Sequence, residues 1–317
     1  MAGVFRRFMR GLLRATQPRS LALVENMQDA ERLADALSAL PNFRVLRAVA
    51  SDTGLDHLRA VGPNERVAAV IDTETTGLDP EREAMIEIAV QRFIFDRAGR
   101  ITDVERPRAW MEDPKRPLPD LVATLTGITE QDLANRAFDD QAIIATIRGA
   151  DILIAHNAAF DRPFIDRRFP ELAGSAWACS LSQLDWQALG YEGRALGYLL
   201  MQSGRFFDGH RASNDTTALT TLLATPADDG RTILSHLLDE CERNSVRVDA
   251  IGAPFEAKGV LKDRGYRWDV NRRVWWREVR DGALDSERGW LARDVYLGRG
   301  EPRLAEITPR TRFKREF

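Results

Sequence analysis

Apolar residues fall into short runs and helical spacings that outline the elements one after another. From Val67 to Ile71 the run Val-Ala-Ala-Val-Ile has no polar interruption, the mark of a strand buried on both faces. Gly77 and Pro80 end it. Ile86–Phe95 predicts a second strand, Arg97-Ala98-Gly99 a turn, and Ile101–Met111 a third strand, together an antiparallel meander. Helical spacing then predicts helices near Glu130–Asn135 and Gln141–Arg148. Asp151–Ala155 reads as another buried strand running into a helix over Ala158–Arg168, and two more helices fit Ala195–Ser203 and Ser213–Ala224. Three strands followed by alternating helix and strand predict an α/β fold, a mixed sheet flanked by helices, over residues 66–226.

The flanks read differently. From Val4 to Leu13 apolar residues recur at helical spacing with Arg6, Arg7, Arg10 and Arg14 between them. The stretch lacks an uninterrupted apolar run, so it is not a secretory signal, and it reads as a basic helix docked on its own domain or a frayed end. A helix near Asp29–Leu40 and a strand near Phe43–Val49 complete an N-terminal helical extension over residues 1–65, expected to cap the next domain. After Pro226 the pattern weakens, and residues 227–253 read as a charged linker. Residues 254–317 read as a small β-rich module with a turn at Asp269–Arg272, ending in a loose charged tail from Arg310.

Composition changes this picture little. The 317 residues are 44% hydrophobic and 29% charged, enough apolar surface for a sizeable core. A net charge of −3 excludes a globally basic nucleic-acid binder, so any basic surface is local and offset by acid elsewhere. The two cysteines, Cys179 and Cys241, form neither a disulfide framework nor a zinc site; they fit a reducing compartment, and the expected location is cytoplasmic. No stretch approaches the roughly 18 apolar residues of a membrane span.

Three acidic motifs alter it more. Asp72-Thr73-Glu74 closes the first strand, and alternation puts both carboxylates on one face. An Asp-x-Glu pair is usually a solvated turn, but beside a buried strand unpaired carboxylates need partners, and cations are natural ones. Asp161, in His156-Asn157-Ala158-Ala159-Phe160-Asp161, precedes Phe164 and Ile165 by three and four positions and so turns toward the core. His156 and Asn157 read as braces of the strand–helix turn. In His210-Arg211-Ala212-Ser213-Asn214-Asp215, Ser213 reads as the helix N-cap, and Asp215, four residues before Leu219, also points inward. Four inward carboxylates call for two divalent cations, and an all-oxygen donor set indicates Mg²⁺ or Mn²⁺. Such a pair suits in-line displacement at a phosphodiester, with His210 placed to take the proton of the attacking water.

These motifs, in this order, resemble the DEDDh branch of the DnaQ-like exonuclease superfamily, which includes the proofreading subunit of bacterial replicative DNA polymerase. Asp72 and Glu74 match its first motif, Asp161 its second, His210 and Asp215 its third. The resemblance implies a ribonuclease-H-like fold with a mixed five-stranded sheet, and 3′→5′ removal of nucleotides, in repair or proofreading. It also implies substrate contacts at Thr75, Leu78 (as an apolar wedge), Phe160 and Thr126, where ordinary core or turn packing is the competing reading. The implied partner is a nucleic acid with a free 3′ end, DNA in preference to RNA, with a polymerase or repair complex as a further expectation.

The C-terminal module adds a second feature. Between Lys258 and Arg280 there are eight Lys/Arg against three acids, and three of the seven tryptophans fall between 268 and 276. Cations and rings suit a single-strand grip, and Arg267, Trp268, Arg273, Trp275 and Trp276 are the candidates. The alternative is a hairpin whose tryptophans form its own small core. Two other functions stay open at this point, an exoribonuclease and a non-catalytic nucleic-acid-binding or polymerase-tethering protein.

Overall fold

The computed structural model describes residues 26–50 and 54–315. The basic helix read at Val4–Leu13 lies outside the described residues. The chain divides into two compact units, residues 1–47 and 48–317. In the first, helix α1 (Met27–Ser38) starts where the Asn26 side chain accepts from the Asp29 N–H, and none of its residues is buried.

The second unit carries two sheets. The larger contains β1 (Glu65–Thr75), β2 (Met85–Asp96), β3 (Ile101–Val104), β4 (Arg108–Met111), β5 (Ile152–Ala155) and β6 (Trp177–Cys179). Its order is β3-β2-β1-β5-β6, with β4 also paired to β2. β2 runs antiparallel to β1, while β5 and β6 run parallel to it. The sheet has six strands where five were expected. Pro107 interrupts the third predicted strand, and both halves pair with β2.

Helices α2 (Asp120–Thr126), α3 (Glu130–Leu133), α4 (Asp140–Arg148), α5 (Ala158–Arg168), α6 (Leu196–Gln202), α7 (Ala212–Ala224) and α8 (Ile233–Glu242) complete this domain. Alternation along β1 sends Ala68 and Val70 to one core, with α6, α7 and α8, and Ala69 and Ile71 to the other, with α4 and α5. Both faces of the strand are therefore buried, as its uninterrupted apolar run predicts. Full burial of an aliphatic side chain such as Ile71 stabilises by roughly 1.5–3 kcal/mol.

The stretch read as a linker, 227–253, holds α8 and strand β7 (Ser245–Asp249). Thr232 caps α8, and its hydroxyl donates to the Gly99 carbonyl at 2.7 Å in the β2–β3 turn. Gly99 has φ +71°, and a Cβ there would come within 2.7 Å of the Ser235 Cα, so only glycine lets the turn approach the helix this closely.

The smaller sheet joins β7 to β8 (Arg267–Asp269), β9 (Val274–Arg280) and β10 (Arg303–Ile307) in the antiparallel order β8-β9-β7-β10. Helices α9 (Lys258–Asp263) and α10 (Leu284–Trp290) accompany it, and its core gathers Val246, Val248, Leu261, Tyr266, Val279 and Leu291.

The charged tail is not loose. The Arg162 guanidinium, fully buried in α5, donates to the carbonyls of Arg310 and Arg312 at 2.7 Å and of Ala173 at 3.0 Å. Arg312, also buried, donates to the carbonyls of Cys241 and Arg243, and Phe313 packs against the α4–α5 core. Buried guanidinium donors matched to backbone carbonyls fix the segment. No helix among the described residues is long and apolar enough to cross a membrane.

Candidate active site

Asp72 and Glu74 sit on β1 opposite Ala89 and Glu87 of β2, on one face of the sheet, just before a bulge at Glu74/Thr75. Oxygen atoms of Asp72, Glu74 and Asp215 lie within 4.8 Å of one another. The structure thus brings together three of the four predicted carboxylates in a single cluster. Three carboxylate oxygens this close, with no thiol or imidazole among them, match the donor set of a hard divalent cation.

Asp161 stands next to this cluster but is tied to the strand. The β1–β5 ladder ends at Val70, and beyond it the Thr73 N–H and hydroxyl donate to Asp161 Oδ1 at 3.1 and 2.8 Å. α5 begins after Asn157, whose φ of +115° turns the chain out of β5. His156 braces that turn: Nε2 donates to the Arg194 carbonyl at 2.9 Å, so Nδ1 accepts from the Ser180 hydroxyl at 2.8 Å. Burial lowers its pKa, and both ring nitrogens are engaged.

Asp215 is placed by a residue that the sequence reading missed. Ser213 does not cap α7; it lies inside the helix, and the N-cap position is Arg211. The N–H at the buried helix start is satisfied from β2 instead. Buried Glu87 accepts from the Ala212 N–H at 3.1 Å and from the Arg211 guanidinium at 3.1 and 3.3 Å. The Asp215 side chain reaches back to accept from the Arg211 N–H at 3.1 Å. A lone glutamate between Ile86 and Ile88 of a buried strand is the signal for Glu87. His210, exposed on the loop before α7, has φ +67°.

Crowding and burial leave these carboxylates far from their ordinary titration range. Burial, then the charges of Asp161, Asp215, Glu74 and Glu87, hold Asp72 well above it. Burial and the charges of Asp215, Glu87 and Asp161 push Glu74 up to about 8, against a smaller opposing effect of Arg211. Burial raises Asp161 to about 7 despite the Thr73 hydrogen bonds, and Asp215 to about 6 despite those of Arg211 and His210. Folded carboxyls titrating above their unfolded value near 4 stabilise the fold when protonated, and that stability is lost as pH rises. The metal-free protein is therefore expected to melt at a lower temperature at pH 8 than at pH 5, and millimolar Mn²⁺ to close most of that gap. Thermal unfolding in EDTA and in Mn²⁺ checks this; a flat or rising EDTA curve between those pH values would refute it.

The other predicted contacts scatter. Thr75 is buried, its hydroxyl donating to the Gly77 carbonyl at 2.6 Å, whereas Leu78 is 84% exposed. Phe160 is half-buried against Phe164, with ring centroids 5.2 Å apart. Thr126 is buried and closes its own helix end, donating to the Val122 carbonyl and accepting from the Ile128 N–H. In the smaller sheet Trp268 and Trp275 pair across β8 and β9, their rings edge to face at 5.6 Å. Arg267 and Trp276 point to the opposite face by alternation, and Arg273 is exposed in the turn at φ +50°. The five candidates of this module are thus split between two faces and a turn.

Residues 69–223 match the family model described as Exonuclease. Over 111 residues the chain is 37% identical to the DNA polymerase III PolC-type of Bacillus subtilis (strain 168), covering 34% of this chain and 7% of that protein. Over 212 residues it is 28% identical to Exodeoxyribonuclease 10 of Escherichia coli (strain K12), covering 64% of this chain and 90% of that protein. Among solved structures it is similar to Exonuclease X in complex with 5′ overhanging duplex DNA. That match has 23% identity, covers 53% of this chain and 99% of that chain, and has a TM-score of 0.38.

Proposed function

We propose that this chain, whose residues 69–223 match the Exonuclease family model, is a DnaQ-like exonuclease that hydrolyses DNA from its 3′ end, one nucleotide at a time. The observation that carries the reading is the clustering of Asp72, Glu74 and Asp215 oxygens, with Asp161 held beside them by Thr73. Asp72, Glu74, Asp161 and Asp215 would hold two divalent cations, Mg²⁺ or Mn²⁺. Bound there, the cations supply charge neutralisation and Lewis acidity at the scissile phosphate.

The protein's own groups do the rest. The carboxylates lose their protons as the cations load, so metal affinity falls with acidity. Glu87 and Arg211 hold the start of α7, and with it Asp215, at a fixed position relative to β1. His210, exposed beside that helix start, accepts the proton of the attacking water as a general base. Leu78, solvent-facing past the end of β1, offers an apolar surface against the terminal base, with Phe160 near the same nucleotide.

DNA is favoured over RNA because the relatives are named as a DNA polymerase and an exodeoxyribonuclease. Digestion of 5′-labelled single-stranded DNA, frayed duplex DNA and RNA with Mg²⁺ tests the whole reading. The expected outcome is a descending ladder of 5′-labelled DNA products, with RNA degraded at least tenfold more slowly. RNA cleaved faster than DNA would make the protein an exoribonuclease, and no product with any metal would make it a binding protein.

A further inference from the structure

A groove of about 840 Å³ runs between the exonuclease domain and the smaller sheet. Leu78, three residues past Thr75, and Ala159, two residues before Asp161, line it together with Trp276 and Arg267 of the smaller sheet, whose polar face borders it. Register and alternation put Ser245, Arg247 and Asp249 of β7, Trp276, Glu278 and Arg280 of β9, and Arg267 of β8 on that face. The opposite face, with Val246, Val248 and Val279, is filled by the module's own core.

The charge of the groove is lopsided. Arg243, Arg267, Arg280, Arg312, Lys314 and Arg315 line it, against three acids, Asp79, Glu240 and Glu278. Glu240 pairs with both Arg243 and Arg280, Arg312 approaches Glu278 at 3.5 Å, and Arg315 bridges to Asp79 and Glu81. Arg267 and Lys314 make no ion pair among the described residues, so their charge is left to face the groove. The Trp276 ring lies there as well, half-buried, with the Arg247 guanidinium 4.3 Å and that of Arg267 5.4 Å from its centroid. A protein of net charge −3 has thus concentrated uncancelled cations and an indole in one channel.

We propose that this groove holds the single-stranded DNA trailing 5′ from the nucleotide being removed, with Arg267 and Lys314 against its phosphates and Trp276 against a base. The assignment rests on the exonuclease reading for the direction of the strand, and on the groove itself for everything else. Phosphates are repelled by the acidic cluster unless cations occupy it, so a grip placed farther along the strand keeps the 3′ end in reach. It also separates the aromatic residues of the module by role. Trp276 faces the strand, whereas Trp268 and Trp275 pack on the other side of the sheet.

The test is fluorescence anisotropy in EDTA, where nothing is hydrolysed, with oligodeoxythymidylates of about 5 and about 20 nucleotides, lengths that bracket a typical single-strand site. The wild-type protein is expected to bind the longer strand at least tenfold more tightly. The double variant Arg267→Glu/Lys314→Glu should lose about tenfold in affinity for that strand. Its dependence of log K on log salt should be shallower by about 1.4, two phosphates' worth for a single strand. Trp268→Ala should stay within twofold of wild type. If charge reversal lowers the melting temperature, Arg267→Gln/Lys314→Gln replaces it. Wild-type-like binding by a folded double variant overturns the proposal. So does equal affinity for the two lengths, the result expected if the groove takes an acidic peptide. A loss confined to Trp268→Ala would move the grip to the other face. Because binding is read without metal, failure here is distinct from failure of the digestion test, which would leave binding intact.

Discussion

Asp72→Asn is expected to lower single-stranded DNA turnover in Mg²⁺ by about a thousandfold or more while raising the melting temperature of the metal-free protein at pH 8. The first effect follows from removing a negative oxygen ligand at the centre of the cluster; several kcal/mol of metal-assisted stabilisation is lost, and about 4 kcal/mol corresponds to a factor near 10³. The second follows from the carboxyl's own environment. Burial and four neighbouring carboxylates oppose its ionisation, so an amide of the same shape spares the fold the cost that this carboxyl carries in alkaline solution. The two effects have opposite signs, and this separates a functional carboxylate from a structural one. Turnover and thermal unfolding of the same preparation check both. A variant that is less stable and partly active would mean that Asp72 is there to hold the strand.

How much of this could be seen beforehand depended on the range of the interaction. The buried strand β1 and the shared face of Asp72 and Glu74 follow from local periodicity, so the sequence revealed them. So did α5 and α7, because three- and four-residue spacings to Phe164, Ile165 and Leu219 are carried within one helix. The amphipathic spacing of Ile233, Leu234, Leu237, Leu238 and Cys241 is equally local, yet the acidic and polar residues around it disguise α8 as a linker. What no local pattern carries is pairing across the chain. Arg162 resembles any surface arginine of a helix until residues 310 and 312 deliver carbonyls to it from 148 and 150 positions away. Glu87 looks misplaced in an apolar strand until it meets the N–H groups at the start of α7. The split of the C-terminal tryptophans needed the register of β8 on β9, since composition alone gives every ring of a basic segment the same role.

His210→Ala should lower kcat by about 10² to 10⁴ with little change in KM, because a group that accepts a proton in the transition state contributes to the rate and not to ground-state binding. His210 occupies a left-handed backbone conformation at φ +67°, where alanine is strained. Asparagine accepts that conformation and has no basic nitrogen, so His210→Asn keeps the loop and removes only the base. Both variants should then fall together in kcat on single-stranded DNA. If His210→Asn keeps a third or more of wild-type kcat while His210→Ala does not, the loop geometry matters and the imidazole does not. The proton would then have to leave by another route.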